Sequence, residues 1–240
     1  MGKIGILVHG RHVEAVNWEE LVWGVPPDKM GSLPKMLQVI LQRGVDHIGA
    51  IVFGTGASER DGLKEAEFTK LLLRQHIYDF RQFALIRRLS KGLVAPERQW
   101  LQELLDNIIC ETTSQNTVEE IAAAAKIFAS RNITEVIQIT CGSHAPRCLR
   151  DMLQARHDGL IPADQMWLVV PDDMTYFGPQ GPTSISDVAI IEPPHRGDDP
   201  TMGQLVHAYQ VVPEIFRVPA GERPALLSEF SRAIQSRIPK

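Results

Sequence analysis

Short apolar, β-branched runs recur along this chain, and amphipathic helical patterns fill the intervals between them. Residues 4–8, 49–53, 107–110, 136–140, 166–170 and 187–191 read as strands. Each is nearly continuous in apolar character, as expected for a strand covered on both faces. Helical periodicity runs over 33–42, 63–75, 98–105, 117–130 and 147–157. This alternation predicts an α/β fold: a doubly wound, mostly parallel, Rossmann-like sheet between two helical layers, joined by right-handed crossovers.

Two regions depart from the rhythm. Residues 77–92 carry aromatics and arginines at helical spacing. They predict one inserted amphipathic helix that covers the core with a solvated basic face; a lid or a dimer face is the alternative. After residue 191, the loop E-P-P-H-R-G-D-D-P-T leads to helical patterns at 202–209 and 224–236. The expected organisation is an α/β domain over 1–199, with a C-terminal helical segment over 200–240 packed on the same domain.

Composition narrows the function class. The 240 residues are 44% hydrophobic and 22% charged, enough apolar material for a sizeable core. Net charge is −4 with no long basic run, which argues against a nucleic-acid partner held through phosphates. No apolar stretch has the length of a membrane span, and the first residues lack secretory-signal features. A cytoplasmic protein without a membrane partner is expected, with a homo-oligomer left open. Three cysteines, Cys110, Cys141 and Cys148, form no C-x-x-C pair, so neither a disulfide framework nor a zinc motif is indicated.

In a parallel sheet the strand-to-helix turns lie side by side at the carboxyl ends, where ligands bind. The first strand delivers His9, Gly10, Arg11 and His12; the second delivers Gly54, Thr55, Gly56, Ala57 and Ser58, followed by Glu65. The third delivers Glu111, Ser114, Asn116 and Thr117, and the fourth Ser143, His144 and Arg147. G-T-G-A-S reads as a turn whose backbone N–H groups can approach an anion, or as a plain tight turn. Glu65 reads as a solvated acid or as a partner for a ribose or amine. Ser114, Asn116 or Thr117 can cap the helix that follows, and Thr117 with Glu120 fits a capping box.

His144 and Arg147 stand three residues apart on one helical face. Arg147 suits a phosphate or carboxylate, and His144 suits proton transfer near neutral pH. Glu111 at a strand tip is the second candidate for chemistry. Cys141 beside His144 raises a cysteine nucleophile, with a buried inert thiol preferred. Trp18, Trp23 and Tyr176 read as stacking groups or as core aromatics. Asp172, Asp173, His195, Asp198 and Asp199 are suitable metal ligands by type but share no fixed spacing, so a metal is not expected.

These motifs carry a resemblance. The chain resembles the bacterial family of YdcF, SanA and ElyC proteins through the Gly-rich loop Gly54–Ser58, the acidic element at Glu65, the E-x-x-S-x-N-T of Glu111, Ser114, Asn116 and Thr117, and the H-x-x-R of His144 and Arg147. It covers most of the chain, and without a membrane segment the chain is more similar to the soluble YdcF-type branch. The resemblance implies a Rossmann-like sandwich and S-adenosylmethionine binding. The H-G-R-H after the first strand and the segment N-W-E-E-L-V-W-G depart from the usual pattern. The expected function is therefore binding of S-adenosylmethionine, a nucleotide or a phosphorylated metabolite by an enzyme of the transferase class. His144 and Glu111 are placed at the chemistry. His9, Arg11, Gly54, Thr55, Gly56, Ser58, Glu65, Ser114, Asn116, Thr117, Ser143 and Arg147 are placed on the ligand. A phosphoester hydrolase and a non-catalytic ligand sensor are the alternatives.

Overall fold

Five of the six apolar runs become strands of one sheet in the computed structural model, which describes residues 3–90, 103, 106–174, 218–219 and 221–236. They are β1 (Ile4–Val8), β2 (Ile48–Phe53), β3 (Ile108–Cys110), β4 (Glu135–Thr140) and β5 (Met166–Pro171). The order is β3-β2-β1-β4-β5, and every pairing is parallel. The sixth run, 187–191, lies outside the described residues. So do the helical pattern at 98–105 apart from Glu103, the loop at 192–201, and the pattern at 202–209.

The helices are α1 (Trp18–Val22), α2 (Ser32–Arg43), α3 (Glu65–His76), α4 (Ala84–Leu89), α5 (Thr117–Ala129), α6 (Ala145–His157) and α7 (Arg223–Gln235). The chain divides into two compact units, Met1–Ile190 and Ile191–Lys240, and α7 belongs to the second. Among the described residues no helix is long and apolar enough to cross a membrane.

Strand periodicity sorts the core into two layers, because successive side chains point to opposite faces. Ile4, Ile6 and Val8 of β1 join Leu33, Leu37 and Ile40 of α2 and Leu73 of α3 in one cluster. Leu7 joins Ile121, Ala124 and Phe128 of α5 and Met152 and Ala155 of α6 in the other. β2 divides in the same way, Ile51 and Phe53 against Ala50 and Val52. Gly5 is required by this packing: a Cβ there would stand 2.7 Å from the Phe128 ring.

The segment at 77–92 is not one helix. A 3₁₀ turn, Phe80–Gln82, is separated from α4 by Phe83, whose extended backbone breaks the helical path. Burial explains the break. Phe80, Phe83 and Ile86 are all in the core, and the Trp23 ring packs against Phe80 and Phe83 at 4.9 and 5.6 Å between centroids. Three anchors at three-residue spacing hold the segment as a core cover; residues 91–92 lie outside the described residues. The helix expected from 63 starts two residues later, because Leu63–Lys64 pairs with Glu59–Arg60 in a small hairpin.

Candidate functional site

The chain leaves β1 toward β2 on one side of the sheet and reaches β4 on the other. The gap between the tips of β1 and β4 is therefore the topological switch point, where open α/β sheets bind ligands. A cleft of about 410 Å³ lies there, lined by residues from all the loops the sequence singled out. β1 supplies Gly10, Arg11 and His12, and β2 supplies Thr55, Gly56 and Ala57. The start of α5 supplies Asn116, Thr117 and Glu120, and the tip of β4 with α6 supplies Cys141, Ser143, His144 and Arg147. Glu65 of α3 reaches the same space. Small-molecule sites typically have this size.

Behind the cleft is a buried charged pair. Alternation along β1 carries past Leu7 to His9, which lies on the face covered by α5. There Nδ1 of His9 meets Oε2 of Glu120 at 2.5 Å. Its Nε2 meets Oε1 of Gln138, in the middle of β4, at 2.7 Å. Both ring nitrogens face oxygen atoms, an arrangement that favours the doubly protonated imidazolium. Burial lowers its pKa, but neighbouring Cys148 and the Glu120 carboxylate outweigh burial and hold it well above the ordinary histidine range. The Gly10 N–H donates to the second Glu120 oxygen at 2.7 Å. Glu120 thus ties α5 to the β1 loop. The sequence reading paired Glu120 with Thr117 in a capping box; in the structure Asn116 is the N-cap, accepting from the Glu119 N–H at 3.0 Å, and Glu120 faces inward.

Arg11 is held on three sides. Its Nη1 donates to the carbonyls of His9 at 3.1 Å and Gly10 at 2.9 Å. Its own carbonyl accepts from Trp18 Nε1 at 3.2 Å. The side chain is buried, yet its Nε and Nη2 have no hydrogen-bond partner among the described residues. The Thr55 hydroxyl, also in the cleft lining and buried, has none either.

The other expected residues divide between lining and scaffold. Glu65 is engaged by its own loop, accepting from Gly56 N at 2.9 Å, from Ser58 N at 3.3 Å and from the Ser58 hydroxyl. Burial pushes its carboxyl up, against the Ser58 hydrogen bond. The Gly-rich turn therefore directs the N–H groups of Gly56 and Ser58 to Glu65, and the Gly54 N–H goes to the Val8 carbonyl at 2.9 Å. Ser58 also accepts from Val13 N at 3.0 Å. Glu111 accepts from Thr113 N at 2.7 Å, Thr113 Oγ1 at 2.5 Å and Ser114 N at 3.1 Å. It shapes the loop before α5 and stands outside the cleft lining, as do His9, Gly54, Ser58 and Ser114.

His144 lines the cleft with Nε2 3.5 Å from the Thr117 hydroxyl. Burial and then the charges of Arg11, His9, Arg147 and Arg150 drive its pKa down to about 2, so the ring is neutral. Arg147 stands at the rim, with Nε 3.5 Å from Asp151. Asp172 follows β5. Its Oδ1 accepts from Met174 N at 2.9 Å, while Oδ2 is buried without a partner among the described residues. Burial, offset in part by Arg11, raises its pKa to about 7. Asp173 instead binds Met30 N and Lys35 at 3.0 and 3.2 Å. Among the described residues no three His, Cys, Asp or Glu side chains are grouped to hold a metal. His195, Asp198, Asp199 and Tyr176 lie outside the described residues. Trp18 and Trp23 are core aromatics.

The sequence reading missed Glu120 and Gln138 as parts of this site. A polar residue inside the apolar run V-I-Q-I was the available signal for Gln138. Glu120 was hidden by its second plausible role near a helix start.

No protein-family model matches the chain, and no curated protein matches it significantly. Among solved structures it is similar to the rRNA methyltransferase aviRa from Streptomyces viridochromogenes, at 10% identity and a TM-score of 0.29, over 70% of this chain and 65% of that one. The chain thus spans just under two thirds of that protein's length. A likeness this slight carries nothing over to this chain; the fold stands on its own strand order.

Proposed function

We propose that the protein binds a small anionic metabolite in the switch-point cleft and acts on it as an enzyme of the transferase class. The ligand class is S-adenosylmethionine, a nucleotide or a phosphorylated compound. One observation carries the reading. Two arginines and a neutral histidine converge on a single cleft whose carboxylates, Glu65 and Glu120, are already engaged by protein groups. The cleft therefore turns side-chain donors, rather than unengaged carboxylate oxygens, toward whatever enters it. The resemblance to soluble YdcF-type proteins points to the same loops.

Arg147 at the rim and Arg11 at the floor hold the anionic part. Asn116, Thr117 and Ser143 offer hydroxyl and amide groups to the remainder. His144 is poised to take a proton. Burial and then the nearby cations, Arg11 first, keep it unprotonated, and an anion bound between Arg11 and Arg147 offsets part of that repulsion and raises its basicity. S-adenosylmethionine fits through its carboxylate and, when bound, supplies a transferable alkyl group. Among the described residues its ribose meets no unengaged carboxylate in the cleft lining, since Glu65 is held by Gly56 and Ser58.

Thermal-shift titration tests the reading. The panel holds S-adenosylmethionine, S-adenosylhomocysteine, nucleotides and sugar phosphates, with Arg147→Ala in parallel. A ligand at 100 times its Kd stabilises by about 2.7 kcal/mol, a shift of roughly 5–10 °C for a chain of this size. The shift is expected to shrink in Arg147→Ala. His144→Ala is expected to keep the shift and lose turnover. A panel without any shift refutes the reading, and turnover retained in His144→Ala removes that residue from the chemistry.

A further inference from the structure

Arg11 is a buried cation without an ion-pair partner within 4.0 Å among the described residues. Leaving such a charge unpaired is costly. The arrangement of its bonds shows what it lacks. Nη1 is pinned by the carbonyls of His9 and Gly10, and the chain at Arg11 is fixed by Trp18. The two Nη1 bonds set the orientation of the guanidinium. The edge left free is the one carrying Nε and Nη2, whose two parallel N–H groups match a pair of oxygens in bidentate contact.

A third donor comes from a different strand. Thr55 at the tip of β2 is 1% exposed, lines the same cleft, and has a hydroxyl without a partner among the described residues. The two loops touch: a Cβ on Gly10 would stand 3.0 Å from the Thr55 Cα. We propose that Arg11 and Thr55 form a subsite for a phosphoryl group at the floor of the cleft, uncovered when the ligand enters, so that the ligand is a phosphate ester. A tetrahedral phosphoryl group presents three terminal oxygens, two for the guanidinium edge and one for the hydroxyl. A planar carboxylate has only two and engages the edge alone. The inference rests on the cleft being the ligand site and narrows its ligand to one chemistry.

The test is calorimetric titration of the full chain with inorganic phosphate and, separately, with acetate. Phosphate is expected to bind at one site per chain and at least tenfold more tightly than acetate. Thr55→Val removes the hydroxyl at nearly constant shape and is expected to weaken phosphate roughly tenfold, the effect of one hydrogen bond to a charged group. Arg11→Lys replaces the two-pronged edge by a point charge and is expected to weaken it further. Should Arg11→Lys fail to fold, Thr55→Val decides alone. Phosphate binding no tighter than acetate, or unchanged in Thr55→Val, overturns the subsite. A panel compound that shifts the melting point but is not displaced by phosphate overturns the subsite and leaves the cleft reading intact. Silence from both phosphate and the whole panel overturns both.

Discussion

Gly54→Ala isolates the contact between the tip of β2 and the buried Glu120 carboxylate. An added Cβ would stand 1.8 Å from Glu120 Oε1 and 2.5 Å from its Cδ. A flexible side chain could swing clear, but this one is tethered by His9 on one oxygen and the Gly10 N–H on the other. Moving it breaks both bonds and strands the His9 imidazolium in the core. Breaking a buried pair from one side costs about 3–5 kcal/mol, a large share of the roughly 5–15 kcal/mol that stabilises a domain. Urea unfolding reads the loss as a lower midpoint. Gly142→Ala is the control, since its Cβ meets only the Asp172 and Met174 carbonyls at 3.5 Å, ordinary contact. It is expected to cost less than about 1 kcal/mol. A second arm places Gly54→Ala in a Glu120→Ala background, where the obstruction is gone. The penalty there is expected to fall to a small fraction of its value, a coupling only neighbours show. An equal penalty in both backgrounds refutes the reasoning.

Asp172→Asn is expected to raise stability at pH 8 on the order of 2–4 kcal/mol. The wild-type carboxyl is raised to about 7, so its contribution is complete below the unfolded value near 3.8 and is lost as pH climbs through 7. The fall in stability between pH 3.8 and about 7 is expected to flatten in Asp172→Asn, and an unchanged or steeper slope contradicts the assignment. His144 acts with opposite sign. Its folded pKa of about 2 lies below the usual 6.5, so the unfolded chain takes up the proton first and stability falls as pH drops below 6.5, by up to about 1.4 kcal/mol per unit. His144→Gln is expected to flatten that acid limb, and an unchanged slope would show the ring to be better solvated. Phe83→Ala is expected to cost about 3–5 kcal/mol in urea, as a buried core ring does, whereas less than 1 kcal/mol would mark the segment at 77–92 as a movable lid.

The strands were legible because burial on both faces writes itself into composition. Ile4–Val8 and Ile48–Phe53 carry almost no polar residue, and the observed limits differ from the pattern by a residue or so. The loops at their tips were legible because polar residues crowd where apolar runs end. What pairs with what across the tips was not. His9 and Glu120 are 111 residues apart, and only the phase of α5 turns that carboxylate toward β1 rather than toward its own helix end. Glu111 and Glu65 show the converse. An acid beside a turn rich in N–H groups satisfies its own loop first, and sequence spacing alone does not separate that from reaching a ligand. The 77–92 segment misled for a related reason: three buried anchors override helical periodicity when the backbone bends to bury all of them.

The parallel order also sets a schedule for making the protein. β1 is the central strand, and one of its two neighbours is β4, whose register pairs Gly5 with Val136 and Leu7 with Gln138. Synthesis yields β1 at the start and β4 some 130 residues later, a delay of roughly 7–25 s at ordinary elongation rates. Throughout that interval an apolar strand meant to be covered on both sides has one open flank. Long-range parallel pairing is slow even afterwards. The nascent chain is therefore exposed to wrong strand partners for longer than one built from adjacent hairpins. Chains truncated before residue 135 would carry that open flank permanently and are the ones expected to aggregate.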